Sequence, residues 1–309
     1  MTNSQPKLIV ILGPTAVGKT RLAVRLAYHF GGEIISADSR QVYRGMDLGT
    51  GKDLADYYIK GKKIPYHLID VIAPNTVFNA AKYQKLAYRA IDDVLSRGKL
   101  PFLVGGTGLY LDAVIRGYQF SVPEQKISAV EFQRLRKKLD QLTLAQLLAR
   151  LKKIDLISYR KIDQKNRRRV QRALEIFYST GQIKSAVDKM ASPGYDLLIL
   201  GVKHPLKKIY QKIDRRLVER LNSGLIAEVR KLHRKGVSWK RLEEFGLEYR
   251  YIARYWRGVL AYEELLKQLQ AAIHHFAKRQ LTWFKRNPDI RWLKSYPVAV
   301  REIKKFLQK

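Results

Sequence analysis

The sequence contains no cysteine. Disulfide bonds, cysteine-ligated zinc sites and iron–sulfur clusters are therefore excluded for this chain. Long apolar runs are also lacking, because none approaches the roughly 18 consecutive apolar residues of a membrane-spanning helix. Residues 1–7 are mostly polar, and the apolar run that follows them resembles a core strand rather than a signal peptide. We therefore expect a cytoplasmic protein that makes no use of a membrane.

Acidic residues are scarce relative to basic ones. The chain has 60 Lys+Arg against 27 Asp+Glu, which gives a formal net charge of +33. Residues 1–120 carry 16 basic and 9 acidic residues, residues 121–192 carry 17 and 7, and residues 203–309 carry 27 and 10. A polyanion such as nucleic acid is the natural partner of this charge. General surface basicity without a binding site is the alternative.

The order of apolar patterns predicts the fold class. Strand-like runs alternate with helical periodicity up to about residue 120, and a strand-like run returns near residue 196. Only helical periodicity is found between them, and one of these helices is expected to begin at Asp163. Before residue 120, residues 66–72 are expected to form a strand and residues 45–63 a loop. We therefore predict an α/β core with a parallel sheet, formed by residues 1–120 and 196–309, whose C-terminal part is helical. Residues 121–195 are predicted to be an inserted all-helical domain.

Residues 13–20 have the spacing of a phosphate-binding loop. They follow the apolar run 8–12 and precede a helical pattern, which is the context that such a loop requires. Glycines let backbone N–H groups surround phosphate oxygens, and the new helix adds its positive end. Lys19 supplies a cation, and the Thr20 hydroxyl can hold Mg²⁺ or a phosphate oxygen. The predicted binding residues are Gly13, Pro14, Thr15, Ala16, Val17, Gly18, Lys19 and Thr20.

Two further turns are expected at the same edge of the sheet. Asp38 directly follows the apolar run 33–37, and ligands of open α/β sheets bind beyond the carboxyl ends of the strands. We favour a catalytic role for Asp38, although an Asp-Ser pair also often caps a following helix. The glycine-rich turn 105–110 contains Thr107, which could contact a ligand but is as typical of a plain turn.

Arginines are dense in the predicted insert. Four of them lie within residues 167–172, too many for i,i+4 pairing with the few acids nearby. We interpret them as a surface that binds a phosphate backbone, and a solvated helix face is the alternative. Residues 276–286 mix cations with aromatic side chains, which is typical of nucleic-acid binding but also of a buried helix face.

Together these motifs resemble the tRNA dimethylallyltransferases, also called tRNA isopentenyltransferases. The resemblance spans residues 8 to about 293. Its motifs are the segments 13–20, 38–43, 105–110, 166–175, 213–225 and 277–284. Many protein families share a phosphate-binding loop, whereas Asp-Ser-x-Gln-Val-Tyr at this distance from the loop is far more specific. The absence of cysteine excludes the zinc-finger extension of eukaryotic relatives and indicates a bacterial type.

The resemblance implies a P-loop core whose helical insert grips the anticodon stem-loop of tRNA. The implied reaction transfers a dimethylallyl group from dimethylallyl diphosphate to the exocyclic N6 amine of the adenosine immediately 3′ of the anticodon, and it releases diphosphate. Mg²⁺, bound through Thr20, is the implied cofactor, and we expect a monomer. Lys19 and Arg216 would stabilise the departing diphosphate, and Asp38 would act as general base. The implied tRNA-contacting residues are Asp38, Ser39, Arg40, Gln41, Thr107, Gln164, Lys165, Asn166, Arg167 and Arg168.

Some positions depart from the family pattern. Where the family usually has Ala-Lys-Pro after Leu-Gly-Thr, this chain has Gly51-Lys52-Asp53, and Ile273-His274 stand where Thr-Arg is common. Two alternatives share the phosphate-binding loop: a small-molecule kinase that uses ATP, and an adenylate dimethylallyltransferase that uses free nucleotide. Neither requires the basic insert.

Overall fold

The described part of the chain divides into two compact units. A computed structural model covers residues 5–120, 126–187 and 192–308. The larger unit contains the described residues up to Ile115 and from Gly194 onward, and the smaller unit contains those between them. That the smaller unit serves as a tRNA-binding domain stays a prediction.

The larger unit is built around a parallel sheet. Along the chain the strands are β1 (Lys7–Leu12), β2 (Gly32–Ala37), β3 (Tyr58–Ile59), β4 (Lys62–Lys63), β5 (Tyr66–His67), β6 (Leu100–Gly105), β7 (Asp196–Gly201) and β8 (Arg291–Trp292). In the described residues, six parallel strands form the sheet in the order β5-β2-β6-β1-β7-β8, and β3 pairs with β4 in a separate hairpin. All of β2 and the last five residues of β1 are buried, as in a sheet covered on both faces. The predicted α/β class with a parallel sheet is confirmed.

Helices surround the sheet and also form the smaller unit. In chain order they are α1 (Lys19–Phe30), α2 (Ala80–Ser96), α3 (Gly108–Ile115), α4 (Ala129–Gln141), α5 (Leu144–Ile154), α6 (Leu156–Lys161), α7 (Arg167–Thr180), α8 (Lys184–Val187), α9 (Leu206–Asn222), α10 (Leu225–Arg234), α11 (Trp239–Phe245), α12 (Leu247–Trp256), α13 (Tyr262–Phe284) and α14 (Tyr296–Leu307). Helices α4 to α8 lie in the smaller unit. None of the helices in the described ranges is long and apolar enough to cross a membrane.

The smaller unit has its own apolar core, which is formed by helices whose first residues carry clear capping signals. Its α4 and α5 begin with capping boxes, in which Ser128 pairs with Glu131 and Thr143 with Gln146. The buried cluster beneath them comes from α4, α5 and α7 and consists of Leu139, Leu147, Leu151, Val170, Ala173 and Leu174. The described residues of this unit contain no strand, as the periodicity predicts.

The structure of the apolar segment 66–72 differs from the one that its sequence pattern predicts. It predicts one long strand, but only Tyr66 and His67 pair with β2. Leu68 and Asp70 have φ angles of 64° and 57°, which turn the chain out of the sheet. Ile72 then meets Tyr43 in a single parallel bridge. The prediction of a strand over the whole segment was therefore wrong.

Two element boundaries also differ. Residues 45–63, expected to be a loop, contain a 3₁₀ turn at Leu54–Tyr57 and the β3–β4 hairpin. The helix expected to begin at Asp163 begins at Arg167, because the Asn166 side chain accepts a hydrogen bond from the Arg169 amide and caps it.

Candidate active site

A cavity of about 450 Å³ lies in the larger unit, beyond the carboxyl ends of β1, β2 and β6. The loop after each of these strands contributes to its wall, and α9 and α13 close the other sides. It is therefore located where the topology of an open parallel sheet places ligands. Among its lining residues are Thr15, Ala16, Gly18, Lys19, Thr20, Asp38, Arg40, Gln41, Thr107 and Arg216, all of them predicted from the sequence.

The phosphate-binding loop is shaped by its glycines. A Cβ on Gly13 would lie 2.3 Å from the carbonyl oxygen of Val202, so only glycine fits where the loop passes the end of β7. Gly18 has a φ of 84° and is the N-cap of α1. Ala16 also has a positive φ, 61°, which an alanine adopts only under constraint from its surroundings. The loop thus directs backbone amides and the positive end of α1 towards an anion site.

Lys19 lies at the base of this loop without a carboxylate hydrogen-bond partner in the described residues. Its Nζ donates to the Pro14 carbonyl oxygen at 2.6 Å. Burial lowers the pKa of Lys19 to about 8, Asp38 opposes this change, and Arg216 adds to it. An arriving anion would stabilise the charged ammonium, so the site is electrostatically prepared for phosphate.

Gln280 from α13 holds two of the loops in register. Its side-chain oxygen accepts from the Thr15 amide at 2.9 Å, and its side-chain nitrogen donates to the Gly106 carbonyl at 2.8 Å. A Cβ on Gly106 would lie 2.6 Å from that nitrogen, so the glycine is needed for the close approach. Gln280 is buried, and loss of either bond would leave a buried backbone group without a partner.

Asp38 is fixed by a local turn rather than by a helix. Its Oδ1 accepts from the amides of Arg40 at 2.8 Å and Gln41 at 3.3 Å. Turns and a β-bridge follow it, so Asp38 caps no helix here. Thr107 reaches across from the β6–α3 loop, and its hydroxyl accepts from the Ser39 amide at 3.0 Å. Thr107 therefore supports the Asp38 turn, which ties two loops of the cavity together.

Arg216 and Arg220 lie one turn apart on α9 and both line the cavity. Arg216 Nη2 is 3.6 Å from Asp53 Oδ2, and Arg220 Nη1 is 3.9 Å from Glu248 Oε1. Burial, followed by repulsion from Arg220, lowers the pKa of Arg216. Burial also raises the pKa of Glu248, although Arg220 opposes this change. The guanidinium groups are thus closely spaced and only loosely paired.

Other residues predicted from the sequence have different positions. Three residues of the phosphate-binding loop are buried and do not line the cavity: Gly13, Pro14 and Val17. The Arg40 guanidinium donates to the Phe245 carbonyl at 2.7 Å, and Gln41 donates to the carbonyl of Gly51 at 3.2 Å. Both side chains therefore brace the cavity wall, and their contact with tRNA stays a prediction.

The predicted RNA-binding residues 164–168 lie in the smaller unit. Arg167 donates to the carbonyls of Leu139 and Asp140, at 3.1 and 2.8 Å, at the end of α4. It therefore has a structural role there. Arg168 and Arg169 are exposed on α7.

Sequence reasoning missed several residues of the cavity. Arg220 could have been found from its i,i+4 spacing to Arg216 on one helix face. Asp53 was noticed only as a departure from a family pattern. Gln280 belongs to a recognised motif, but no local signal shows that it reaches the phosphate-binding loop.

The chain is similar over nearly its whole length to known proteins. Residues 41–287 match a family model described as IPP transferase. A protein named tRNA dimethylallyltransferase 1 from Syntrophus aciditrophicus is 48% identical over 280 residues, which are 90% of this chain and 89% of that protein. Another of that name, from Geotalea uraniireducens, is 42% identical over 306 residues, 97% of each chain.

Solved structures give the same result. The tRNA isopentenylpyrophosphate transferase from Bacillus halodurans is 36% identical with a TM-score of 0.69, over 98% of this chain and 96% of that one. A eukaryotic dimethylallyltransferase acting on tRNA is 26% identical with a TM-score of 0.78, over 93% of this chain and 73% of that one.

The lowered pKa of Lys19 predicts how anion binding depends on pH. In the free protein, Lys19 is charged below about pH 8 and neutral above it, and an anion favours the charged form. Affinity for inorganic diphosphate should therefore fall as the pH rises from 7 to 9.5, by at most about tenfold per pH unit. Isothermal titration calorimetry measures it.

A Lys19→Arg variant is the control, because arginine stays charged over this range. Protonation of the ligand itself affects both proteins equally. The ratio of wild-type to variant affinity should fall above pH 8, and a ratio that stays constant from pH 7 to 9.5 would contradict the prediction.

Proposed function

The chain belongs to the IPP transferase family, and on this premise we propose that it prenylates tRNA. It transfers the dimethylallyl group of dimethylallyl diphosphate to the exocyclic N6 amine of the adenosine immediately 3′ of the anticodon. The observation that carries this proposal is one cavity that holds a phosphate-binding loop, a turn-fixed carboxylate at Asp38 and an arginine at Arg216. This combination suits a reaction in which diphosphate is the leaving group.

The phosphate-binding loop and its cations hold the diphosphate. Loop amides, Lys19 and Arg216 surround the space in which negative charge grows as the bond between carbon and the bridging oxygen breaks. Preorganised donors of this kind stabilise the transition state more than the ground state.

Asp38 is the proposed general base. The adenine amine attacks the allylic carbon, the new nitrogen–carbon bond forms, and the amine's proton passes to the carboxylate while diphosphate leaves. Both backbone hydrogen bonds to Asp38 end on Oδ1, so among the described residues Oδ2 is left to accept the proton. The fixed turn supplies the orientation that such a transfer requires.

Mg²⁺ is the proposed metal. The Thr20 hydroxyl lines the cavity, and the described residues contain no cluster of three acidic or histidine side chains that could bind a metal alone. Both facts fit Mg²⁺, which binds through few protein ligands together with substrate phosphates and water. When bound, the ion would neutralise charge on the diphosphate.

The tRNA anticodon stem-loop is the proposed partner. The target base must leave its stack to reach a carboxylate in a cavity. On α7, Arg167 and the exposed Arg168 and Arg169 are proposed to bind the phosphate backbone, together with Gln164, Lys165 and Asn166 just before the helix. We propose that the protein acts as a monomer in the cytoplasm.

The reaction can be tested directly. Incubation with dimethylallyl diphosphate, Mg²⁺ and unmodified tRNA should add one five-carbon unit to adenosines beside the anticodon, which mass spectrometry of digested tRNA detects. A gain on free AMP but not on tRNA would indicate an adenylate dimethylallyltransferase. ATP turnover without any gain would indicate a kinase.

Replacement of Asp38 by asparagine should slow transfer by roughly 10²- to 10⁴-fold and leave tRNA affinity nearly unchanged. Asparagine keeps an oxygen for the amides of Arg40 and Gln41 but cannot accept the proton. Single-turnover kinetics and filter binding measure the two effects. Asp93→Asn on the surface of α2 is the matched control. Equal losses of rate and affinity would show that Asp38 is structural.

Replacement of Arg168 by alanine should weaken tRNA binding. It should also reduce the magnitude of the slope of log affinity against log salt concentration by about 1, the value expected for loss of one phosphate contact. The Arg168 side chain is exposed in the first turn of α7, so the fold should be retained. Arg301→Ala removes the same charge from an exposed position of α14 and should leave the slope unchanged. An unchanged slope for Arg168→Ala would assign these arginines to ordinary surface.

A further inference from the structure

Three cations of the cavity each have an acid nearby. The negative charge of Asp38 favours the charged form of Lys19. Asp53 pairs with Arg216, and Glu248 pairs with Arg220. The pairs differ in how firmly the acid is held. Glu248 is 8% exposed and Asp53 is 59% exposed. Asp53 can therefore leave its partner for water at little cost, whereas Glu248 would remain as an unpaired buried charge.

The Asp53 carboxylate is held by little else. Asp53 is the N-cap residue of the 3₁₀ turn Leu54–Tyr57, but its side chain accepts no capping hydrogen bond there. Its distance of 3.6 Å from Arg216 Nη2 is that of an ion pair rather than of a tight hydrogen bond. The contact therefore balances charge and does not fix geometry.

Gly51 brings this segment against the arginines. A Cβ on Gly51 would lie 2.1 Å from Arg220 Nη2 and 2.7 Å from Arg216 Nη2. Gly51 also has a φ of 66°, which favours glycine. The two departures from the family pattern thus act together, because Gly51 makes room for both guanidinium groups and Asp53 supplies a carboxylate to one of them.

The neighbouring Arg220 gives a second reason why an anion can replace Asp53 at Arg216. Its Nη2 is buried and has no hydrogen-bond partner in the described residues. Two guanidinium groups one helical turn apart repel each other, and a single exposed carboxylate offsets little of that repulsion. A polyvalent anion neutralises the pair far better than Asp53 does.

We propose that Asp53 competes with diphosphate for Arg216 and so promotes release of the diphosphate product. This inference rests on the proposed function. In this scheme Asp53 pairs with Arg216 before diphosphate binds, substrate diphosphate displaces it, and the carboxylate returns when the product leaves. Asp53 is a positioning residue in this scheme, since it acts through Arg216 and touches neither reacting atom.

The test compares binding of inorganic diphosphate with Mg²⁺ to the wild-type protein and to Asp53→Asn, by isothermal titration calorimetry. The variant should bind roughly two- to fivefold more tightly, the range expected for loss of one exposed ion pair. Asp56→Asn is the matched control. Asp56 lines the same cavity, but its carboxylate pairs with Arg21 at 2.9 Å, so the same charge change should have a smaller effect.

A double-mutant cycle shows whether the effect passes through Arg216. In an Arg216→Gln background, Asp53→Asn should no longer tighten binding. In the transfer assay, Asp53→Asn should lower both the KM for dimethylallyl diphosphate and the inhibition constant of diphosphate. A variant that was merely destabilised would raise them.

Unchanged or weaker diphosphate binding by Asp53→Asn overturns the proposal, and so does equal tightening by Asp56→Asn. These outcomes are separate from failure of the proposed function. A wild-type protein that binds diphosphate but adds no five-carbon unit to tRNA would refute the prenylation of tRNA, while the comparison of the two variants would still decide the role of Asp53.

Discussion

Confinement of several cations around one cavity is the constraint on which this structure depends. Lys19, Arg216 and Arg220 lie within a single pocket of about 450 Å³. Charges partly removed from water repel each other more strongly than they would at a surface, and their desolvation adds to the cost. The lowered pKa values of Lys19 and Arg216 are two signs of that cost. A polyvalent anion would relieve it, which supports the proposal that this site binds diphosphate.

Such a site must be held rigid by contacts that carry no charge. Gln280 does this from α13, 265 residues beyond Thr15 along the chain. Its neutral amide satisfies one donor and one acceptor of two different loops, so it fixes them without adding to the electrostatic imbalance. Thr107 has a comparable role for the turn that holds Asp38. The late helices of the chain are therefore part of the catalytic core, although the phosphate-binding loop lies near its beginning.

The extent to which sequence reasoning succeeds follows the range of the interactions. The phosphate-binding loop and β1, β2 and β6 are specified by local spacing and apolar runs, and the structure has them as predicted. The prediction of a strand over 66–72 was wrong because Leu68 and Asp70 adopt positive φ angles. Neither residue is a glycine, so the sequence gives no local sign of this turn. Arg167 was predicted to contact RNA because the arginine density around it is visible in the sequence, whereas its hydrogen bonds to the carbonyls at the end of α4 are not. Its contact with RNA stays a prediction.

The same argument explains why Asp53 was seen as a departure and not as a site residue. Its partner Arg216 lies on α9, far along the chain, and only the fold brings the two together. Three acids of the cavity also differ in what holds each carboxylate in place, and this difference suits them to different roles. Backbone amides fix Asp38 in one orientation, which suits its proposed role as general base. Glu248 is buried beside Arg220, so it cannot exchange its partner for water as Asp53 can. Asp53 alone of these three is exposed enough to exchange with a ligand, which is the property that its proposed role in releasing diphosphate requires.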